Sequence, residues 1–384
     1  MVLIAIGGKS NTGKSTFFSA ATAHEVEISN RIFTTIKPNR GIAWVQKACP
    51  CQRLGVRCAP KNSRCINGIR YIPIQLLDVA GLVPGAHEGR GLGNQFLDEM
   101  MDADAIIHIV DLSGGTDQDG NPIKPGTRDP NDDIITFEQE IDFWFLGILE
   151  RAWDSIKRKV TLEKKKLEDV IAEKFSGIRI DRDAVKKAIE STEFSLNDKK
   201  AEFVSSLRKI SKPIVIAGNK ADMPEAKKNL KNVNAIPVSA DAELALIRAA
   251  QKGIIEYRPG DSDFKIIKSI EPGQEKVLLY IRESVLKPFG STGVQRILNH
   301  VVFDVLGYIV VYPVANISKL TDNAGNVLPD AFLVKKGTKL RDFAYMVHKE
   351  IGEKFIGGLG LDKKRLGADY ELKDGDIVEI LFKG

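Results

Sequence analysis

Long apolar runs are the first thing this chain of 384 residues lacks. No stretch approaches the roughly 18 consecutive apolar residues of a membrane span, and the apolar start at residues 1–6 is short and has no basic leader. Neither a membrane partner nor a secretory signal is expected, so the composition reads as a soluble, cytoplasmic, globular chain of two or three domains. A strong charge of one sign is also missing, since 56 Lys and Arg against 51 Asp and Glu leave only +5. That balance does not by itself argue for a polyanionic partner. Cysteine is scarce, and its four copies, Cys49, Cys51, Cys58 and Cys65, fall within a single 17-residue stretch with no Cys-x2-Cys pair among them.

The two local concentrations say more than the totals. Four clustered thiols beside Pro and Gly suit a tetrahedral zinc or iron–sulfur site, although the usual chelating spacing is absent. Two local disulfides or four free thiols remain open alternatives. The basic charge is likewise confined: residues 151–212 carry 17 Lys and Arg against 11 Asp and Glu, which leaves the rest of the chain near neutrality. A solvated helical face and an RNA- or ribosome-binding face both fit that excess.

The apolar run at residues 1–6 leads directly into Gly8-Lys-Ser-Asn-Thr-Gly-Lys-Ser15, which has the spacing of a P-loop. Gly8 and Gly13 let successive backbone N–H groups turn toward a polyphosphate. Asn11, Thr12 and Thr16 complete the loop and the start of the next helix, Lys14 adds a positive charge, and Ser15 offers a hydroxyl to Mg²⁺. Further strand-like runs at residues 41–45, 71–77, 105–110, 213–217 and 235–238 alternate with helical stretches. The fold class expected is α/β with a mainly parallel sheet.

Between the fourth and fifth of these runs comes a departure of about a hundred residues with almost no strand signal. It opens with a loop at residues 114–133 that is too polar and turn-rich to be expected to pack. Helical periodicity follows, with a break at Ser176-Gly177 and Asp181 or Asp183 as the cap of the second helix. The expectation is an inserted antiparallel helical hairpin. The end of the chain reads as a small ubiquitin-like α+β domain with strands near 308–313, 331–334 and 376–382 and a helix at 340–351. The expected divisions are 1–135 and 213–301 for the α/β domain, 136–212 for the insertion and 302–384 for the C-terminal domain.

Three further motifs follow strand ends in order. Asp78-Val-Ala-Gly81 suits an acid that holds Mg²⁺ through water and a glycine N–H that senses the γ-phosphate. Asn219-Lys-Ala-Asp222 suits recognition of guanine, whose N1–H and 2-amino group can both donate to Asp222 while Lys220 covers the base. Ser239-Ala240 can offer a backbone N–H to the guanine O6. Together they describe a GTP/GDP site with Mg²⁺ on Ser15, Asp78 and Thr35, with Thr34 as the alternative to Thr35.

These motifs, with Phe33-Thr-Thr-Ile-Lys-Pro-Asn39, residues 78–97 and Gly325-Asn-Val-Leu-Pro-Asp330, resemble the Obg-like translation-factor GTPases, and within them the YchF branch. The resemblance covers nearly the whole chain. It implies a GTPase domain with a helical insertion, a C-terminal TGS domain, and a slowly hydrolysing switch associated with ribosomes or RNA. Some YchF members have an altered base-recognition motif and prefer ATP; residues 219–222 here are intact, which favours GTP. The cysteine stretch is an insertion relative to the family pattern, so no role is inherited for it.

What the site lacks matters for catalysis. The position after Gly81, where many GTPases carry a water-orienting glutamine, is Leu82. Hydrolysis therefore needs another residue, a cation or a partner. His108 matches a histidine implicated in the YchF branch, although a histidine on an apolar strand also suits core packing; His87 lies in the glycine-rich stretch after Gly81. Asn11 matches an asparagine that helps bind K⁺ in related GTPases. No acid/base cluster for a second substrate accompanies the P-loop, which weighs against a metabolic phosphotransferase. An RNA- or ribosome-binding adaptor with a structural nucleotide, and an NTPase that also accepts ATP, remain the alternatives, and a monomer is expected.

Overall fold

The structure, a computed structural model, describes residues 1–23, 39–79, 81, 85, 93–196 and 199–383, with side chains left out at 93–96. Thr34, Thr35, Leu82 and His87 lie outside the described residues. Strands β1 (Leu3–Gly7), β2 (Arg40–Ala48), β3 (Arg64–Ile66), β4 (Ile69–Asp78), β5 (Ala105–Asp111), β6 (Ile214–Asn219) and β7 (Ile236–Pro237) form one sheet in the order β2-β4-β1-β5-β6-β7, with β3 also on β4. From β4 through β7 all pairs are parallel, whereas β2 and β3 run antiparallel to β4.

Both faces of the central strands are covered, which is why they read as unbroken apolar runs rather than as alternation. In β1, Ile4 and Ile6 face a core shared with Phe17, Ile107 and Ile109, while Leu3 and Ala5 face a second core with Met100, Phe137 and Phe145. The first core is roofed by α1 (Lys14–Thr22) and a later helix, Ala240–Gln251. The second is roofed by the helical region.

That region is larger than a hairpin. Among the described residues it contains four α-helices, α4 (Pro130–Thr161), α5 (Leu167–Phe175), α6 (Arg182–Thr192) and α7 (Lys200–Ser211), numbered after α1, the short α2 (Pro50–Leu54) and α3 (Gly93–Met101). α4 and α7 form the antiparallel pair: Arg208, near the end of α7, donates to Glu138 and Asp142 near the start of α4, both at 2.9 Å. α5 and α6 pack between them, and Asp181 caps α6 by accepting from the Ala184 N–H.

The polar loop at 114–133 does pack, contrary to expectation, and Asp129 with Pro130 starts α4 four residues before the apolar periodicity begins. Its turn-rich backbone is satisfied from within by Asp117, which accepts from Asp119 and Asn121, and from outside by the P-loop.

At the C-terminal end, β10 (Tyr308–Val314), β11 (Phe332–Lys335), β12 (Phe355–Leu359), β13 (Arg365–Leu366) and β14 (Ile377–Phe382) form a five-stranded sheet, preceded in the chain by the hairpin β8 (Ile255–Glu256) and β9 (Lys265–Ile266). Along β10, Ile309 and Val311 pack on the domain's own helix, while Val310, Tyr312 and Val314 join the first core of the large sheet. The two domains therefore share apolar packing.

Candidate nucleotide site

The loop after β1 is shaped by its glycines. Gly8 has φ +136° and a Cβ there would lie 2.5 Å from the Ile109 carbonyl oxygen; Gly13 has φ +97° and a Cβ would lie 2.2 Å from Asn219 Nδ2. Only a residue without a side chain fits both the backbone and the space. The chain then enters α1, so N–H groups of the first helical turn and loop line one concavity, the arrangement that receives phosphate.

Lys14 lies in that concavity with its ammonium donating to the Lys9 carbonyl at 2.8 Å. Burial lowers its pKa, and the Asp78 carboxylate works the other way. Asp78, the last residue of β4, is pushed up by burial, while Lys14 and a hydrogen bond from Ser15 pull it down. A cation, an acid and a hydroxyl thus meet at the end of the parallel strands. Ser15 and Asp78 are together, as a Mg²⁺ site requires. Gly81 is close as well: a Cβ on it would lie 3.0 Å from Ser10 Oγ and 3.6 Å from Lys14 Nζ.

The guanine-recognition motifs converge on the same edge through Asn219, the last residue of β6. Its Nδ2 donates to the Thr12 carbonyl at 2.8 Å and its Oδ1 accepts from Ala240 N–H at 3.1 Å. Lys220 has φ +58° and its ammonium bonds Asp111 Oδ2 at 2.8 Å. Asp222 accepts from Ser239 Oγ at 2.9 Å and from the Tyr280 hydroxyl at 3.2 Å, one on each carboxylate oxygen. Five segments distant in sequence are thereby joined by direct hydrogen bonds.

The predicted auxiliary residues are placed differently. Asn11 donates from Nδ2 to the Gly120 carbonyl at 2.9 Å, so its side chain is held by the 114–133 loop. His108 is 2% exposed on β5 and stacks on Phe137 of α4 with centroids 3.9 Å apart. Its Nδ1 has no hydrogen-bond partner, and burial pushes its pKa down to about 3. It sits beneath the loop as a neutral ring.

Several contributors escaped the motif search. Lys9, a variable position of the P-loop pattern, is buried and bonds the Thr116 and Asp117 carbonyls and the Asp133 carboxylate, the last at 2.6 Å. Asp111, the last residue of β5, lies one residue past the expected strand and outside every motif. Tyr280 and Glu140 carried no signal, since neither belongs to a motif. Glu140 of α4 accepts from the Gly85 N–H at 2.7 Å, tying the segment after Asp78 to the helical region.

Comparison with known proteins agrees with this layout. Residues 3–140 match the family model described as 50S ribosome-binding GTPase, 217–316 the Obg-like GTPase YGR210-like, G4 motif-containing domain, and 324–382 the TGS domain. A GTP-binding protein of Methanocaldococcus jannaschii is 48% identical, with 99% of each chain covered. The ribosome-binding ATPase YchF of Bacillus subtilis is 27% identical over 98% of each chain. The crystal structure of a GTP-binding protein from Pyrococcus horikoshii superposes with a TM-score of 0.78 at 38% identity, covering 100% of both chains. With 99% of the chain covered by a GTP-binding relative at 48% identity and both the GTPase and TGS models in place, this protein belongs to the Obg-like GTPases.

Proposed function

We propose that the chain is a cytoplasmic GTP-dependent switch that binds ribosomes or RNA during translation and hydrolyses GTP to GDP and phosphate slowly. The observation that carries this reading is the joining of the P-loop, Asn219 and Ala240 by two hydrogen bonds, which makes phosphate and base recognition a single unit. The ribosome is proposed as partner because the B. subtilis relative is named for it and because residues 151–212 are basic.

In this reading Gly8, Thr12, Gly13, Lys14 and Thr16 hold the phosphates, and Asn219, Lys220, Asp222, Ser239 and Ala240 hold the base. Ser15, Asp78 and Thr35 provide oxygen ligands of the kind Mg²⁺ takes, and that ion neutralises charge on the phosphates. Asn11 contributes to a K⁺ site. Gly81 offers its N–H to the γ-phosphate, and His87 is retained as a candidate for orienting water. His108 acts as a positioning residue: it stacks on Phe137 and packs under Gly8, whose built Cβ lies 3.4 Å from the ring. With Leu82 in place of a glutamine, turnover depends on a partner or a cation.

Helix α4, which starts at Pro130 in the GTPase domain and runs on into the helical reporter, receives the signal at two points, Lys9 to Asp133 and Gly85 to Glu140. The proposed division is GTPase domain 1–135 and 213–301, helical reporter 136–212 and TGS domain 302–384, acting as a monomer. A second reading, use of ATP, is favoured by one observation, the Tyr280 hydroxyl already on Asp222. Titration of purified protein with GTP and ATP separates them. GTP binding at least tenfold tighter, with ribosome co-sedimentation that differs between GTP and GDP, supports the switch; equal affinities or nucleotide-independent co-sedimentation would overturn it.

A further inference from the structure

The four cysteines meet at the joint between the large sheet and the C-terminal domain. Cys49 precedes α2, Cys51 lies within it, Cys58 follows it, and Cys65 is the middle residue of β3. Their sulfurs all lie within 4.8 Å of one another, and Cys51 Sγ is 3.7 Å from Cys65 Sγ. All four are free thiols, and that separation is well beyond the roughly 2.05 Å of an S–S bond. Around one ion at about 2.3 Å, a tetrahedron spaces its sulfurs about 3.8 Å apart. An iron–sulfur cube would have to push the same sulfurs farther out.

A second observation points to the same ligand. Arg70, paired with Cys65 in the β3–β4 ladder, is completely buried. It donates to Ser63 Oγ at 3.0 Å and to the Leu328 carbonyl at 2.9 Å, but its Nε has no partner, and among the described residues no carboxylate forms an ion pair with it. A buried guanidinium whose direct hydrogen-bond partners are all neutral, and which the Asp330 carboxylate balances only at longer range, is costly. Four thiolates on a divalent ion carry a net charge of about −2 and would add counter-charge beside this guanidinium.

We propose that Cys49, Cys51, Cys58 and Cys65 hold one Zn²⁺ in a closed tetrathiolate site that fixes the C-terminal domain against the GTPase domain. The chain between Cys58 and Cys65 is what that domain docks on. Ala59 N–H donates to Val327 O at 2.8 Å, Lys61 N–H to Pro329 O at 2.7 Å, and the Asn62 side chain bonds both the N–H and the carbonyl of Ala331. The metal staples the base of this short segment, where no helix or long strand would otherwise hold it. Closed coordination by four thiolates is the structural rather than the catalytic form of zinc.

The test uses the full chain purified without chelator. Elemental analysis is expected to find about one zinc per chain, and Co²⁺ exchange to give the thiolate charge-transfer and tetrahedral d–d bands of a sulfur-ligated ion. Iron in place of zinc, absence of metal, or two disulfides by mass spectrometry would overturn the assignment. Stripping the metal with a thiol reagent and chelator is expected to speed amide exchange at Ala59, Lys61 and Ala331 at least tenfold. Unchanged exchange there would overturn the docking role. Cys58→Ser is expected to lose most of the zinc, and if that variant fails to fold, the metal content of the unaltered chain decides.

Discussion

Asn219 donates its side-chain amide to the Thr12 carbonyl at 2.8 Å, so the base-recognition loop is bonded to the backbone of the phosphate loop rather than merely lying beside it. The same side chain accepts from Ala240 N–H, and the group is 3% exposed. Removing it leaves a buried carbonyl and a buried N–H without partners, at a cost of about 1–3 kcal/mol. Asn219→Ala is therefore expected to weaken GTP and GDP alike by about 5- to 150-fold, read by fluorescent-nucleotide titration. A loss confined to the base, with free phosphate binding intact, would contradict the coupling.

Tyr280 places its hydroxyl on one Asp222 oxygen and Ser239 places its own on the other, the two oxygens a guanine edge would engage. A guanine that donates to Asp222 must displace that hydroxyl or share the oxygen with it. Tyr280→Phe removes a competitor worth about 0.5–1.5 kcal/mol and should tighten GTP by about 2- to 10-fold while leaving ATP unchanged. Competition titrations with both nucleotides read the difference. If ATP gained as much as GTP, Tyr280 would be shaping the pocket rather than guarding the carboxylate.

Glu140 is the link between the nucleotide side and the helical region that is simplest to cut. Its carboxylate, 6% exposed on α4, accepts from Gly85 N–H at 2.7 Å. Glu140→Ala breaks that bond without touching the residues that hold the phosphates or the base. GTP affinity should stay within about threefold. The difference in ribosome co-sedimentation between GTP and GDP should collapse. A full difference in the variant would route the signal elsewhere, with Lys9 and Asp133 as the next pair to cut.

Much of this was readable from the chain because the site is built from strand ends. Each motif follows an apolar run, and the six expected strands of the large sheet are present as β1, β2, β4, β5, β6 and β7. β2 departs only in direction, since it returns on β4 rather than crossing over. What was not legible depends on contacts between segments far apart in sequence. Arg64–Ile66 is a three-residue strand with no periodicity to detect, and Tyr280 approaches Asp222 from 58 residues away. The 114–133 loop looked like an unpacked surface because its composition is polar. Its partners, Lys9 and Asn11, sit at positions of the P-loop pattern that the pattern leaves free.

His108 gives the clearest pH prediction. Burial between the β-sheet and Phe137 holds its folded-state pKa at about 3, against 6.5 in an unfolded chain. Between these two values the unfolded state binds the proton and the folded state does not. The neutral ring's contribution to stability is thus complete above about pH 6.5 and is lost progressively as the pH falls toward 3, at up to about 1.4 kcal/mol per pH unit. His108→Leu removes this term. Between pH 7 and pH 5, urea unfolding of the unaltered chain should lose about 2 kcal/mol more than that of the variant. Turnover should show no inflection from this imidazole between pH 5 and 8, because it does not titrate there when folded. A kcat inflection near 6.5 that vanishes in His108→Leu would instead make the histidine a proton-transfer group and would require the ring to leave its stack on Phe137.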